Sequence, residues 1–139
     1  MYNFLTTNQQ AMHRFKELNV WKKSIDLITF VYQITEQFPK KEIYGLMSQI
    51  NSSSISIPSN IAEGSAATSK KDFANYLNIA RKSLFETVSH LIIAEDQKYI
   101  NQNEKEELYL IAEELSRKIK SLGKLLLVII LLHVEQVDK

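Results

Sequence analysis

The sequence predicts an all-α protein: a single antiparallel up-down-up-down four-helix bundle over residues 1–139, with its second helix kinked at a proline. Three observations predict it. Only three glycines and two prolines interrupt the chain, which leaves few breaking points and suits long helices joined by short connections. Apolar residues recur at three- and four-residue steps in four separate blocks. Start and stop signals, Pro39, Gly64, Ser69 and Asn101, fall between the blocks. The apolar fraction of 45% and charged fraction of 24% are those of a chain able to pack a core, and the length accommodates one core rather than two.

The first helix is expected over 18–38, with Trp21, Ile25, Ile28 and Tyr32 on one stripe and Leu27, Val31 and Ile34 beside it. Pro39 stops it, because the residue before a proline is pushed out of the helical region. The second begins near Ile43 and carries Leu46, Met47, Ile50, Ser54, Ile57 and Ile61 inward, ending at Gly64 as a left-handed cap. Pro58 lies inside it and deletes one backbone hydrogen bond, so a kink is expected there; the alternative is two shorter helices parted near Ser56. The small residues of the SSSIS run at 52–56 read as a site of close helix approach.

The third helix starts at Ser69, with Asp72 in capping-box spacing, and shows Phe73, Leu77, Ala80, Leu84, Val88 and Leu91 as one seam. The fourth starts at Asn101 with Glu104 three residues on, and points Leu108, Ile111, Leu115, Leu122, Leu125 and Ile129 inward. Its last part, LLLVIILL at 125–132, is apolar all round; a helix in water does not tolerate that, so either the bundle or another subunit must cover it. Residues 1–14 are expected to be flexible and 133–139 to form a tail.

Composition removes several chemistries. There is no cysteine, so no disulfide and no thiolate metal site can form, and His13, His90 and His133 are too far apart in sequence for a local ligand motif. The serines at 52–56 have no histidine or lysine base in local spacing, no Glu-x-x-His pair suggests a di-iron bundle, and His90 reads as a packed or half-exposed side chain. Trp21, Tyr32, Phe38, Tyr44, Phe73 and Tyr76 could stack on bases, but at helical spacing they read as core. The expectation is a protein that is not an enzyme and uses no cofactor. No stretch reaches the roughly 18 apolar residues of a membrane span and no secretory signal opens the chain, so a cytoplasmic location without a membrane partner is expected.

Three stretches carry a family likeness: FKELNVWKKSIDLITFVYQIT from Phe15, EIYGLMSQI with SIPSNIAEGS between Glu42 and Ser65, and KKDFANYLNIARKSLFE from Lys70. In order and spacing, over roughly 15–126, the chain resembles the bacterial proteins encoded in intervening sequences of 23S ribosomal RNA genes. That resemblance implies a four-helix bundle assembling as a ring-like homopentamer. It also implies kinship to the accessory variability protein of diversity-generating retroelements, which binds nucleic acid and a reverse transcriptase through basic surface. The sequence departs from the family where two arginines usually follow the SQ pair, for Asn51 and Ser52 stand there. Ala66 and Ala67 replace positions that are often basic, and the apolar run at 125–132 replaces a basic, polar ending.

Placed on an up-down-up-down bundle, the net charge of +1 separates by end. Lys22, Lys23, Lys70, Lys71, Arg81, Lys82, Arg117, Lys118, Lys120 and Lys124, with Arg14 and Lys16, collect where the first and third helices start, against Glu17, Asp26, Glu63 and Asp72. Glu113 and Glu114 are assigned to the opposite, acidic end, with Lys40, Lys41, Lys98 and Lys105. Helix-dipole complementation accounts for the fourth helix, but the third begins with Lys70 and Lys71 and ends with Glu95 and Asp96, against its dipole. The functional reading is a homo-oligomeric, pentameric scaffold that binds nucleic acid, RNA in particular or DNA, through the first ten of these cations. The alternative is a protein–protein adaptor that binds a protein partner and no nucleic acid.

Overall fold

The computed structural model describes residues 14–137, and within them every regular element is helical. A short 3₁₀ turn, Arg14–Glu17, precedes α1, Asn19–Thr35; a second 3₁₀ turn, Lys40–Glu42, precedes α2, Leu46–Ser65; α3 is Lys70–Asp96 and α4 is Gln102–Val137. Residues 1–13 of the expected flexible start and 138–139 of the expected tail lie outside the described residues.

Core packing selects one of the two stripes read on α1. Val20, Ser24, Leu27, Val31, Ile34 and Thr35 are buried, whereas Trp21, Ile25 and Ile28 are half-buried and Tyr32 is exposed. Trp21 instead meets the ring of Phe15 edge-on, with centroids 5.3 Å apart. Among the other aromatic residues expected in the core, Phe38 is buried, Phe73 and Tyr76 are half-buried, and Tyr44 stands in solvent just before α2.

The starts of α2, α3 and α4 are set by side chains that satisfy otherwise unpaired terminal N–H groups. The α2 helix begins three residues later than its apolar pattern suggests. Glu42, in the preceding turn, accepts the Leu46 N–H at 2.8 Å and so marks the start. Ser69 accepts the Asp72 N–H at 3.1 Å, and Asn101 accepts the Glu104 N–H at 2.8 Å while Glu104 accepts the Asn101 N–H at 3.0 Å, a reciprocal capping box. The end of α3 carries no sequence signal: Lys98 adopts a left-handed φ of 65° where glycine is usual. Lys98 N–H donates to the Glu95 carbonyl and Tyr99 N–H to the Ala94 carbonyl, both at 2.8 Å, which closes the helix. Tyr99 then packs on Phe38 at 5.3 Å and donates from its hydroxyl to Glu42 at 3.3 Å, tying the α1–α2 connection to the α3–α4 connection.

The α2 helix runs unbroken through Pro58, so it is not two shorter helices. Its contacts with α3 pair rising numbers on one helix with falling numbers on the other: Ser53 with Thr87, Ser56 with Ser83, and Gly64 with Tyr76 and Phe73. Likewise Glu95 meets Lys105 and Arg81 meets Ser116 between α3 and α4. Both pairs of neighbours are therefore antiparallel. Between them lie Ile50, Ile57, Ile61, Leu77, Leu84, Leu91, Leu108, Leu115 and Ile119, all closed to solvent, with Leu27 and Val31 of α1. Phe73, Val88, Ile111 and Leu122 complete the core from partly buried positions.

Gly64 is not a left-handed cap. It lies inside α2, buried, and no glycine of the described residues has a positive φ. A Cβ there would come within 2.7 Å of the Tyr76 Cβ and 2.8 Å of the Phe73 ring, so the residue is needed for closeness. Gly123 in α4 has open space around the same position. Two opposite outcomes follow. Gly64→Ala should destabilise the fold by about 1–3 kcal/mol, as overpacking does, and Gly123→Ala should stabilise it by roughly 0.5–1 kcal/mol through helix propensity. Urea denaturation of both variants checks the pair; a Gly64→Ala protein as stable as wild type removes the close-contact explanation.

Candidate nucleic-acid interface

The antiparallel contact of α3 with α4 brings the first part of α3 against the second half of α4. A groove there is lined by Ala74, Asn75, Leu77, Asn78 and Arg81 on one side and Ile119, Lys120, Gly123, Lys124 and Leu127 on the other. Arg81 is held in place: its Nε donates to the Ser116 hydroxyl at 3.3 Å and its guanidinium lies 5.1 Å over the Phe85 ring. Lys120 and Lys124 are exposed. An oriented guanidinium, two exposed ammonium groups and the amides of Asn75 and Asn78 make a set of donors suited to phosphate oxygens.

A second cleft lies where the start of α1 meets α4, lined by Leu18, Asn19, Val20, Glu114, Arg117, Lys118, Ser121 and Leu122. Lys118 lies 3.2 Å and Lys23 3.5 Å from the same Glu114 oxygen. This corrects the assignment of Glu114 to the acidic end, and Glu113 shares a hollow with Arg117, Ser116 and Phe85. The reason is helix length. At 1.5 Å per residue α1 is about 26 Å long and α4 about 54 Å, so the start of α1 meets the middle of α4. The cationic excess is smaller by these two charges than the chain order implies.

The sequence-read cations therefore divide into three sets. Arg81, Lys120 and Lys124 share the α3–α4 groove; Arg117 and Lys118 share the α1–α4 cleft, where Lys23 joins them through Glu114. Lys22 on α1 and Lys70, Lys71 and Lys82 on α3 are exposed to solvent. Asn75 and Asn78 were missed by sequence reading, although their three-residue spacing to each other and to Arg81 places all three on one helical face. At the other end Lys105 is committed to Glu95 at 2.9 Å, and that hydrogen bond holds its pKa above the usual lysine value.

The serine run makes a packed seam. Ser53 donates to the Ile50 carbonyl, Ser54 to the Asn51 carbonyl, and Ser56 lies 3.0 Å from the Ser83 hydroxyl. His90 is half-buried, and its Nδ1 has no hydrogen-bond partner among the described residues. No group of metal-ligating side chains, and no helix long and apolar enough to cross a membrane, occurs among the described residues. Asn51, at a position where the likeness leads one to expect arginine, accepts a hydrogen bond from Thr35 at 3.3 Å, while Ser52 is exposed.

Comparison with known proteins matches residues 16–121 to the 23S rRNA-intervening sequence protein family. The chain belongs to that family. Among solved structures it is similar to a protein of unknown function from the S23 ribosomal protein family of Bacteroides thetaiotaomicron, with 28% sequence identity and a TM-score of 0.69 over 76% of this chain and 95% of the other. No curated protein matches it. The family match takes in the α1–α4 cleft as far as Ser121 and ends before Lys124 and the apolar run.

The electrostatics of the cleft can be read by titration. The hydrogen bond from Lys118, with the charge of Lys23, holds the Glu114 carboxyl below its usual range. Because the folded-state pKa is the lower one, the pairing stabilises the fold above the unfolded-state pKa and is lost as pH falls through the folded value. Carboxyl NMR of Glu114 should show a depressed midpoint that rises towards the ordinary glutamate value in Lys118→Ala; an unchanged midpoint removes Lys118 as the cause.

Proposed function

We propose that this protein is a non-enzymatic, cytoplasmic, homo-oligomeric scaffold that binds nucleic acid, RNA above all, through the cations of α1, α3 and the stretch of α4 from Arg117 to Lys124. The observation that carries this reading is the α3–α4 groove, with Arg81 oriented over Phe85 and Lys120 and Lys124 beside it. Exposed Lys70, Lys71 and Lys82 extend the cationic surface along α3. The set lacks the arrangement of side chains that reads base edges, so phosphate contacts dominate and sequence preference is slight.

Assembly is supported by apolar side chains left on the outside. Ile55 on α2 and Ile79, Ile92 and Ile93 on α3 are exposed, more than a free-standing bundle needs. In the pentameric ring that the family likeness implies, five cationic surfaces act together, and weak phosphate contacts gain by multivalency. The small charge excess of one subunit is then sufficient.

Gel retardation and fluorescence anisotropy with single- and double-stranded RNA and DNA test the reading. Affinity should fall steeply with salt, with a log–log slope of about 0.7–0.9 per phosphate engaged. The triple reversal Lys70→Glu, Lys71→Glu, Lys82→Glu should abolish binding, while Lys40→Glu, Lys41→Glu and Lys98→Glu should leave it nearly intact. Ser52→Arg, at an exposed family position, should tighten it if that surface adjoins the ligand. Wild-type protein that retards none of these at low salt and high micromolar concentration sinks the nucleic-acid reading and puts the protein–protein adaptor in its place.

A further inference from the structure

The end of α4 outruns the rest of the bundle. Leu126 is the last buried residue, and beyond it Leu127, Val128, Leu131, Leu132 and Val134, with Leu125 just before, are each at least 51% exposed. The expectation that Leu125 and Ile129 point inward fails: Leu126, one residue on, takes the buried face, and Ile129 is exposed. Packing by the described chain therefore leaves the apolar run of 125–132 largely uncovered, with Leu126 the only one of its residues buried.

The residues of this segment have a self-complementary order. Lys124, Val128, Leu131 and Glu135 follow one another at steps of four, three and four, which places them on a single stripe of the helix. The stripe starts with a cation and ends with an anion, both exposed. When two copies of the segment are laid antiparallel about a two-fold axis between Ile129 and Ile130, Lys124 of each faces Glu135 of the other and Val128 faces Leu131. On the flanks Leu125 faces Leu132 and Leu127 faces Val134. Every exposed apolar residue named above gains an apolar partner, and the two charges at the rims are matched twice. A parallel pair would set Lys124 against Lys124 and Glu135 against Glu135.

We propose that the C-terminal part of α4, residues 124–135, is a self-association element through which two copies of this chain pair antiparallel and isologously, with Lys124–Glu135 pairs at both rims. This goes beyond the nucleic-acid reading and shares only Lys124 with it. It is also distinct from ring assembly, because the segment lies outside the family-matched residues and pairs bodies tip to tip, whatever number of chains each body contains.

The test uses the full chain. By light scattering at micromolar concentration, Glu135→Lys and Lys124→Glu should each halve the particle mass of the wild type, and the double swap Lys124→Glu, Glu135→Lys should restore it. Orientation is read by cysteine, which the chain lacks. Under oxidation, a mixture of Val128→Cys and Leu131→Cys proteins should form disulfide-linked pairs, and either variant alone should form few. Equal masses for wild type and both single reversals would overturn the proposal, as would a double swap that stays at half mass. Efficient self-crosslinking of Val128→Cys alone would overturn the antiparallel order. Wild-type particles that remain unpaired in solution but sediment with anionic phospholipid vesicles would assign the segment to a lipid surface instead. Failure of nucleic-acid retardation with the mass results intact would leave the pairing standing.

Discussion

Close approach of α2 and α3 is the constraint on which the rest of this bundle depends. At one end of their contact Gly64 has no side chain because the Phe73 ring and the Tyr76 Cβ occupy the space. Further along, Ser56 meets Ser83 at 3.0 Å, and Thr87 Oγ1 lies 2.8 Å from Ser53 Oγ and 2.9 Å from the Ser83 carbonyl. These are small, hydrogen-bonded side chains, so the helices approach with the hydroxyls at their contact paired. Register follows from the same contacts, since a hydroxyl pair and a missing Cβ tolerate little sliding. Once α3 is placed, Leu77, Leu84 and Leu91 are aimed at Leu108, Leu115 and Ile119, and the α3–α4 groove has its walls.

The charged surface inherits this geometry. Arg81 lies between buried Ala80 and exposed Lys82 on α3, at the edge of the packed face, which is why its guanidinium can rest on Phe85 and still line the groove. Lys23 and Lys118 converge on Glu114 because α1 begins halfway along α4. Such exposed pairs add little to stability in water, but they orient side chains and lower the local cationic excess. Among the described residues Lys70, Lys71, Lys82, Lys120 and Lys124 make no such pair, and with Arg81 they are the side chains of the proposed phosphate contacts.

Much of the candidate interface was legible along the chain, because lysines and arginines on neighbouring helix ends can be counted once the helix order is known. Asn75 and Asn78 were not, since an amide carries no charge to count and becomes part of a groove only when α4 lies alongside. Glu114 was placed at the wrong end because counting by chain order assumes helices of equal length. Gly64 was read as a terminator because glycine in sequence marks either a left-handed turn or a close contact, and only the neighbour distinguishes them. The end of α3 at Lys98 had no signal, because the left-handed residue there is held by Tyr99 packing on Phe38 and bonding to Glu42, both distant in sequence.

The sequence by itself determined the all-helical class, the number of helices, the seam of α3 and the capped starts of α3 and α4, because periodicity and capping act over three or four residues. It also carried the family, through SIPSNIAEGS and the stretches around it. Tertiary structure alone decided which of two apolar stripes on α1 is buried, how far each helix reaches past its neighbours, and hence which charges meet. It also left residues 125–132 largely uncovered, with Leu126 the only one of them buried. A residue's own periodicity fixes the direction in which it points along the helix; burial depends on whether another helix extends far enough to stand opposite.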